Sequence, residues 1–267
     1  MSRPRILLSN DDGIHAHGLH ALREAMQEIG EVTVVAPEQE QSAVSRAITL
    51  HRGLRMRHLA ERTFTVDGTP TDCIYLAIHK VMAHAPPHIV ISGVNHGGNL
   101  GDDVLYSGTA SAAFEGANNG IPAIAVSRVG GSTGVDDFRV AASFARSLAS
   151  HVLQHGLAKG LILNVNVPKR ATSETQFRFC ALGKHSWRNS VEERKDPRGK
   201  PYFWIGGEWD GHQDLPGTDC NAIAQGIISV TPVRVSLTDT TALSGMMNID
   251  QLPGFTCAPP DPPLSRS

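Results

Sequence analysis

Over the first two thirds of the chain, short apolar runs take turns with stretches in which apolar residues recur at helical spacing. Short apolar runs predict buried strands at residues 5–9, 31–36, 88–92, 123–127 and 161–165. The stretches between them have helical periodicity at residues 18–28, 71–82, 108–118 and 136–154. Nearly continuous apolar strands separated by helices are typical of a parallel sheet covered on both faces. We therefore predict an α/β fold, a Rossmann-like three-layer sandwich with a mostly parallel sheet.

Two segments depart from this alternation. Residues 49–66 alternate apolar and polar positions, which predicts a hairpin or an antiparallel extension of the sheet. Residues 176–210 do so on a larger scale, with QFRFCAL and YFWIGG on either side of the charged stretch VEERKDPRGK. Both signs of charge are nearly balanced in that stretch, which favours a solvated hairpin tip or a subunit arm over a DNA-facing patch.

The predicted organisation is a single domain with a projecting β-hairpin arm. Its core spans about 1–170 and 217–240, including one more strand at 226–232, and the proline-rich end at about 256–267 is predicted to be a loose tail. The arm, about 176–215, holds half of the 14 aromatic residues: Phe177, Phe179, Trp187, Tyr202, Phe203, Trp204 and Trp209. Because aromatics are enriched at interfaces, we expect a homodimer or homotetramer through the arm; a local satellite core is the alternative.

Composition excludes several classes of partner. The 267 residues carry 24 basic and 26 acidic side chains, and this balance leaves no electrostatic footprint for DNA or for an anionic membrane. No apolar run approaches the length of a membrane span, and the run at 6–8 is too short for the core of a signal peptide. We expect a cytoplasmic protein without DNA or membrane partners.

The cysteines also fit a cytoplasmic protein. Cys73, Cys180, Cys220 and Cys257 include no CxxC pair, which predicts free and mostly buried thiols rather than disulfides or a zinc site.

Candidate chemistry follows three of the predicted strands. Asp11 and Asp12 follow the first strand, Ser42 lies after the second, and Asn95 follows the strand at 88–92. Carboxyl ends of parallel strands meet at one edge of a sheet, where ligands bind. Adjacent carboxylates repel each other unless a cation or hydrogen-bond donors offset their charge. These all-oxygen donors suit Mg²⁺ or Mn²⁺.

The acidic turn also fits two alternative roles. Asp12 is a good residue type to cap the helix that begins nearby. A softer metal could use His15, His17 and His96, although the 13 histidines are scattered along the chain.

A glycine-rich loop at 93–101 leads to Ser107, Gly108 and Thr109 at the start of a helix of small residues. Free N–H groups and the helix dipole at such a place can hold a phosphate; a cap without a ligand is the alternative. A third pattern, GGSTG at 130–134, matches the nucleophile elbow of serine esterases at Ser132. Intervening residues separate it from its strand, which favours a flexible loop.

The motifs ILLSNDDGI, VVAPEQEQSAVSRAITL, DGTPTDC and IVISGVNHGGNLGDDVLYSGTASAAFEG resemble the SurE (survival protein E) family of metal-dependent nucleotidases. The stretches DPRGKPYFWIGG and TDCNAIAQGIISVTPV extend the resemblance to about residue 240. Ser9, His17 and the pair Glu38–Gln39 depart from the family pattern without removing a candidate ligand. The resemblance implies a phosphomonoesterase that hydrolyses nucleoside 5′- or 3′-monophosphates with one divalent cation, Mg²⁺ or Mn²⁺, per subunit.

The resemblance also assigns roles to residues. It implies that the metal is held by Asp11, Asp12, Ser42 and Asn95, and that the phosphate is held by Asn99, Ser107, Gly108 and Thr109. Catalysis would rest on Asp11, Asn99, Ser107 and Thr109, with water favoured over Asp11 as the nucleophile. A non-catalytic nucleotide-binding protein is the alternative, and the paired carboxylates favour the enzyme.

Overall fold

The computed structural model describes residues 3–130, 134–246, 251–252 and 255–256. Its first strands are β1 (Arg5–Ser9), β2 (Glu31–Pro37), β3 (Met56–Ala60), β4 (Thr63–Val66), β5 (Ile89–His96) and β6 (Ala123–Arg128). They are followed by β7 (Leu161–Val167), β8 (Phe177–Phe179), β9 (His185–Lys195), β10 (Pro201–His212) and β11 (Ile228–Arg234). The α-helices are α1 (His17–Gln27), α2 (Pro70–Leu76), α3 (Gly108–Asn118), α4 (Arg139–His155) and α5 (Asp219–Ala224). A π-helical turn at Ala77–Val81 continues α2, a 3₁₀ turn at Gly101–Leu105 lies shortly before α3, and another at Val135–Phe138 leads directly into α4.

A nine-stranded sheet has the order β3-β4-β2-β1-β5-β6-β7-β11-β8. The strands from β4 to β7 pair in parallel, whereas β3 and β11 run antiparallel to β4 and β7. The predicted Rossmann-like, mostly parallel architecture is confirmed, and so is the antiparallel extension within residues 49–66.

The core has one half on each face of this sheet. Successive residues of a strand point to opposite faces, so Ile6 and Leu8 of β1 pack with α1 and α4, whereas Leu7 packs with α2 and α3. All three side chains are fully buried. Two layers of helices therefore enclose the sheet, which gives the three layers that the sequence pattern predicts.

The hairpin begins later in the chain than the sequence pattern suggested. β9 and β10 form a separate antiparallel pair, and half of the charged stretch lies within β9. The segment QFRFCAL does not belong to this hairpin, because β8 joins the edge of the main sheet beside β11. The Phe177 ring lies 5.6 Å from that of Phe144 on α4, a contact that the free hairpin could not offer.

Described residues up to Val235 form one compact unit, and those from Ser236 onward form a second one. The second contains α6 (Thr240–Met246), β12 (Gln251–Leu252) and β13 (Phe255–Thr256). The predicted tail beyond residue 256 and the predicted loop at Ser132 lie outside the described residues. No helix in the described ranges combines the length and the apolarity that a membrane span requires.

Candidate functional site

The turn after β1 and the end of β5 lie side by side at the carboxyl edge of the sheet. These strands are parallel neighbours, with Ser9 opposite Ser92. A bulge follows in β5, where Gly93 has a φ of +131° and a Cβ atom would lie 2.2 Å from the Val126 carbonyl oxygen. Only glycine fits there. The bulge sets the register in which Asn95 lies opposite Ser127 of β6.

Asp11 is buried against the N-terminus of α3. The Thr109 hydroxyl donates a hydrogen bond to its carboxylate. A Cβ atom at Gly108 would lie 2.7 Å from the Cβ atom of Asp11, so glycine permits this close approach. Burial raises the pKa of Asp11 to about 6; the Thr109 hydrogen bond opposes this shift, and the charge of Asp12 adds to it.

Asp12 lies beside the end of β5. Its carboxylate accepts a hydrogen bond of 3.2 Å from the backbone N–H of His96. Burial raises its pKa to about 6, the His96 hydrogen bond opposes the shift, and the charge of Glu40 adds to it. Asp12 does not cap α1, because that helix begins after Ala16 without a side-chain cap. The alternative role of Asp12 as a helix cap is therefore wrong.

The loop that carries Ser42 contacts the same turn. The Gln41 backbone N–H donates to the Asp11 carbonyl oxygen over 2.7 Å, and the Ser42 hydroxyl donates to the Glu40 carboxylate over 2.7 Å. The side-chain nitrogen of Asn95 donates to the Gly97 carbonyl over 2.9 Å. Glu40 is a third carboxylate near the turn, and the sequence pattern did not single it out.

The donor set fits a hard divalent cation. The buried carboxylate of Asp11 and the half-buried one of Asp12 have raised pKa values and accept hydrogen bonds, and a bound cation would offset their charge far more strongly. Among the described residues no three His, Cys, Asp or Glu side chains cluster as a metal site, so neutral oxygens would have to complete the ligand set. The His96 ring stacks on Phe138 at 4.8 Å, which does not favour the histidine-based alternative.

Asn99 is fixed by asparagines of the neighbouring strand β7. Its backbone N–H donates to Asn166 Oδ1 over 2.8 Å, and its carbonyl oxygen accepts from the side chains of Asn164 (2.8 Å) and Asn166 (3.0 Å). Its side-chain amide donates to the Ser127 hydroxyl over 2.7 Å. This buried network was not predicted, although two asparagines spaced i, i+2 in the apolar run LILNVNV share one face of the strand.

Ser107 is the N-cap residue of α3. Its hydroxyl accepts the Ala110 N–H over 3.0 Å. The structure thus brings Asp11, Gly108 and Thr109 into direct contact and joins Asp12 to β5, whereas Asn99 is tied to β6 and β7.

Comparison with known proteins points to one family. The family model described as survival protein SurE matches residues 6–189. A protein named 5′-nucleotidase SurE from Myxococcus xanthus is 48% identical over 258 residues, covering 96% of this chain and 97% of its own. Another of the same name from Geobacter sulfurreducens is 49% identical over 246 residues, covering 92% and 93%. The crystal structure of the SurE protein from Aquifex aeolicus superposes with a TM-score of 0.82 at 37% identity and covers 93% of this chain and 100% of its own.

Proposed function

The chain belongs to the SurE family and is a nucleotidase, and on that premise we propose that it uses a divalent cation, Mg²⁺ or Mn²⁺, to hydrolyse nucleoside 5′- or 3′-monophosphates to nucleoside and inorganic phosphate. One observation carries the proposal. Asp11 is buried and Asp12 half-buried beside it at the end of β1, and both have pKa values raised to about 6. A site for a phosphate anion alone would gain nothing from two carboxylates, whereas a cation makes them favourable.

The proposed ligands are the carboxylates of Asp11 and Asp12, the Ser42 hydroxyl and the Asn95 side-chain oxygen. The hydrogen bond to Gly97 engages the nitrogen of Asn95, which leaves its amide oxygen to act as the ligand. When bound, the cation would supply the Lewis acidity that polarises a phosphoryl oxygen.

The phosphate contacts are assigned to the start of α3 and to the loop before it. Gly108 and Thr109 place the N-terminus of an 11-residue helix against Asp11, where its dipole favours negative charge. Asn99 would donate to a phosphoryl oxygen, and its backbone is fixed by Asn164 and Asn166 for that task. Ser107 accepts the Ala110 N–H as the helix cap, and its hydroxyl would donate to a phosphoryl oxygen.

In the proposed reaction a water molecule attacks phosphorus, the bond to the nucleoside oxygen breaks, and that oxygen takes up a proton. Water is the better nucleophile here because the Asp11 carboxylate is already engaged by Thr109 and would also hold the cation. Charge on the phosphoryl oxygens in the transition state would be offset by the donors of Asn99 and Thr109.

We also propose that the enzyme is a homodimer or homotetramer assembled through residues 176–215. Apolar side chains are exposed on both strands of the hairpin, and Ile205 on β10 is 91% exposed. Exposed patches of this kind mark interaction surfaces. A cytoplasmic location stays a prediction from the cysteines, of which Cys73, Cys180 and Cys220 are free and buried.

The direct test of the function is release of inorganic phosphate from a panel of nucleoside 5′- and 3′-monophosphates. The protein would be freed of metal with EDTA and assayed with Mg²⁺ or Mn²⁺ added back. We expect turnover only with the added cation. Tight nucleotide binding without phosphate release would instead identify a non-catalytic nucleotide-binding protein.

A further inference from the structure

The segment that carries the proposed metal ligand Ser42 has no core of its own. Residues 41–49, which we call the strap, form neither helix nor strand, and none of them is buried. Ala43 and Ser45 have φ values of +56° and +53°, in the left-handed region that is unfavourable for residues with a side chain. Hydrogen bonds to neighbouring elements, rather than burial, must therefore decide where the strap lies.

At its start and middle, the strap lies against both parts of the proposed site. The Gln41 N–H donates to the Asp11 carbonyl oxygen over 2.7 Å, in the turn that holds the two carboxylates. The Ser45 hydroxyl donates to the Leu105 carbonyl oxygen over 2.7 Å, and the Ser45 N–H donates to that of Tyr106 over 3.1 Å. Since Tyr106 directly precedes the N-cap of α3, these bonds tie the strap to the proposed phosphate-binding helix.

The end of the strap is fixed by Asp72, a carboxylate that the proposed mechanism does not use. Asp72 is 1% exposed and lies in the first turn of α2. One of its oxygens accepts the Thr49 backbone N–H over 2.9 Å, and the other accepts the Thr49 hydroxyl over 2.6 Å. A third bond, over 2.9 Å, comes from the N–H of Thr69, the N-cap residue of α2. The Thr69 hydroxyl in turn donates to the Ala47 carbonyl oxygen over 2.7 Å.

Asp72 makes more contacts than a helix cap needs. In a capping box the N3 side chain accepts one bond from the N-cap N–H, and Thr69 supplies that bond. The two bonds from Thr49 add nothing to the cap and act only on the strap. Burying a carboxylate is unfavourable unless donors satisfy it, so moving Thr49 away would leave part of this charge unsatisfied. The end of the strap therefore resists displacement.

We propose that Asp72 is a positioning residue of the reaction: through Thr49 it holds the strap so that Ser42 lies at the cation site. The inference rests on the proposed function, because it takes Ser42 to be a metal ligand. Asp72 acts only through the strap, since its own carboxylate is occupied by Thr49 and Thr69. Loss of the contact should weaken cation binding while Asp11 and Asp12 stay in place.

The test separates the strap side of this contact from the helix side. Thr49→Val removes the hydroxyl donor and leaves the capping box intact, whereas Thr49→Ser keeps the donor. Asp72→Asn acts from the helix side, because an amide presents an oxygen on one side only and so deprives either the Thr49 or the Thr69 N–H of its acceptor. Thr63→Val is the matched control, since the Thr63 hydroxyl at the start of β4 donates to the Glu61 carbonyl oxygen over 3.1 Å.

Binding of Mn²⁺ to the metal-free protein, without substrate, is measured from the EPR signal of the free ion, and melting temperatures report folding. We expect Thr49→Val and Asp72→Asn to bind Mn²⁺ about threefold to tenfold more weakly than the wild type, the range that loss of one hydrogen bond gives. Thr49→Ser and Thr63→Val should bind it nearly as the wild type does. In AMP hydrolysis the Mn²⁺ concentration for half-maximal activity should rise by the same factor, and kcat at saturating Mn²⁺ should stay near that of Thr63→Val.

A folded Thr49→Val protein that binds Mn²⁺ as tightly as the wild type would overturn the assignment, and Asp72 would then serve α2 alone. So would a loss of affinity that Thr49→Ser does not restore. The Thr49 variants decide the outcome even where Asp72→Asn does not fold, because they leave the capping box intact. A wild type that binds no Mn²⁺ and releases no phosphate from AMP would refute the proposed function itself.

Discussion

The Thr109 hydroxyl donates a hydrogen bond to the Asp11 carboxylate and so joins the N-terminus of α3 to the turn after β1. These residues are 98 positions apart in the chain. The contact couples the proposed phosphate-binding helix to the proposed metal ligand, because a shift of α3 would remove a donor from the buried carboxylate. Gly108 allows it by leaving room for the Asp11 side chain.

Removing this hydrogen bond should lower turnover more than substrate affinity. Thr109→Val keeps the shape of the side chain but deletes the donor, and a hydrogen bond to a charged group contributes about 1.5–3 kcal/mol. Because we expect this free energy to stabilise the transition state more than the bound substrate, kcat should fall roughly tenfold to a hundredfold, with a smaller change in KM. Thr109→Ser, which restores the hydroxyl, should recover most of the turnover. An unchanged kcat with a raised KM would assign Thr109 to ground-state binding.

The raised pKa values of Asp11 and Asp12 predict how stability depends on pH and metal. Both pKa values are about 6 in the folded protein, against 3.8 for an ordinary aspartate. Between these values the folded state binds more protons than the unfolded state, so the free energy of unfolding falls as pH rises from about 4 to about 6. Above about pH 6 both carboxylates are ionised, and the full cost of holding their charges in the folded protein lowers the free energy of unfolding. A bound cation would offset this cost.

Melting temperatures measure this effect. In EDTA, Asp12→Asn should melt higher than the wild type at pH 7.5, by a few degrees, and the difference should shrink toward pH 4. Added Mg²⁺ or Mn²⁺ should raise the melting temperature of the wild type at pH 7.5 and leave that of the variant nearly unchanged. A wild type whose melting temperature does not change with added metal and equals that of Asp12→Asn in EDTA would count against the acidic pair as a cation site.

The asparagines of β7 should matter for Asn99. Asn166→Ala would remove both the acceptor of the Asn99 N–H and one donor to its carbonyl, and an unsatisfied buried polar group costs about 1–3 kcal/mol. We expect a lower melting temperature together with a lower kcat for AMP. Asn119→Ala is the control, since its amide donates to Glu115 at the end of α3. An Asn166→Ala protein with normal kcat would show that the network serves stability alone.

The sequence predicted this fold well where local pattern decides structure. The apolar runs located β1, β6 and β7 to within a few residues, because a strand buried on both faces has an unmistakable composition. The pattern failed at QFRFCAL, since nothing local shows that β8 pairs with β11 and packs against α4. Pairing between strands that are distant in sequence depends on tertiary packing.

The candidate site likewise contains residues that the sequence pattern predicts and contacts that depend on tertiary packing. Asp11, Asp12 and Asn95 follow from strand ends that meet at one edge of the sheet. The bond between Thr109 and Asp11 depends on where α3 docks, and the sequence resemblance placed Thr109 against the phosphate. The Asn164 and Asn166 network lies within a strand whose composition indicates apolar core, although their shared face was a visible signal.

The hairpin should mediate assembly. Phe203 and Ile205 expose much of their surface on β10, so replacing both with serine removes apolar contact area without touching the main sheet. We expect light scattering at micromolar concentration to give a dimer or tetramer for the wild type and a smaller species for Phe203→Ser/Ile205→Ser. Leu237, an exposed leucine outside the hairpin, gives the control Leu237→Ser. A monomeric wild type would contradict the proposed interface.

The central claim is that Asp11 and Asp12 make this chain a metal-dependent nucleotidase. The most direct measurement is phosphate release from AMP by metal-free protein as Mg²⁺ or Mn²⁺ is titrated in, for the wild type, Asp12→Asn and the control Asp136→Asn. Asp136 is an exposed aspartate paired with Arg139, distant in sequence from the β1 turn. We predict a saturable rise in activity for the wild type and Asp136→Asn, and loss of nearly all activity at every metal concentration for the folded Asp12→Asn protein. Full activity in the metal-free wild type, or an unimpaired Asp12→Asn protein, would contradict it.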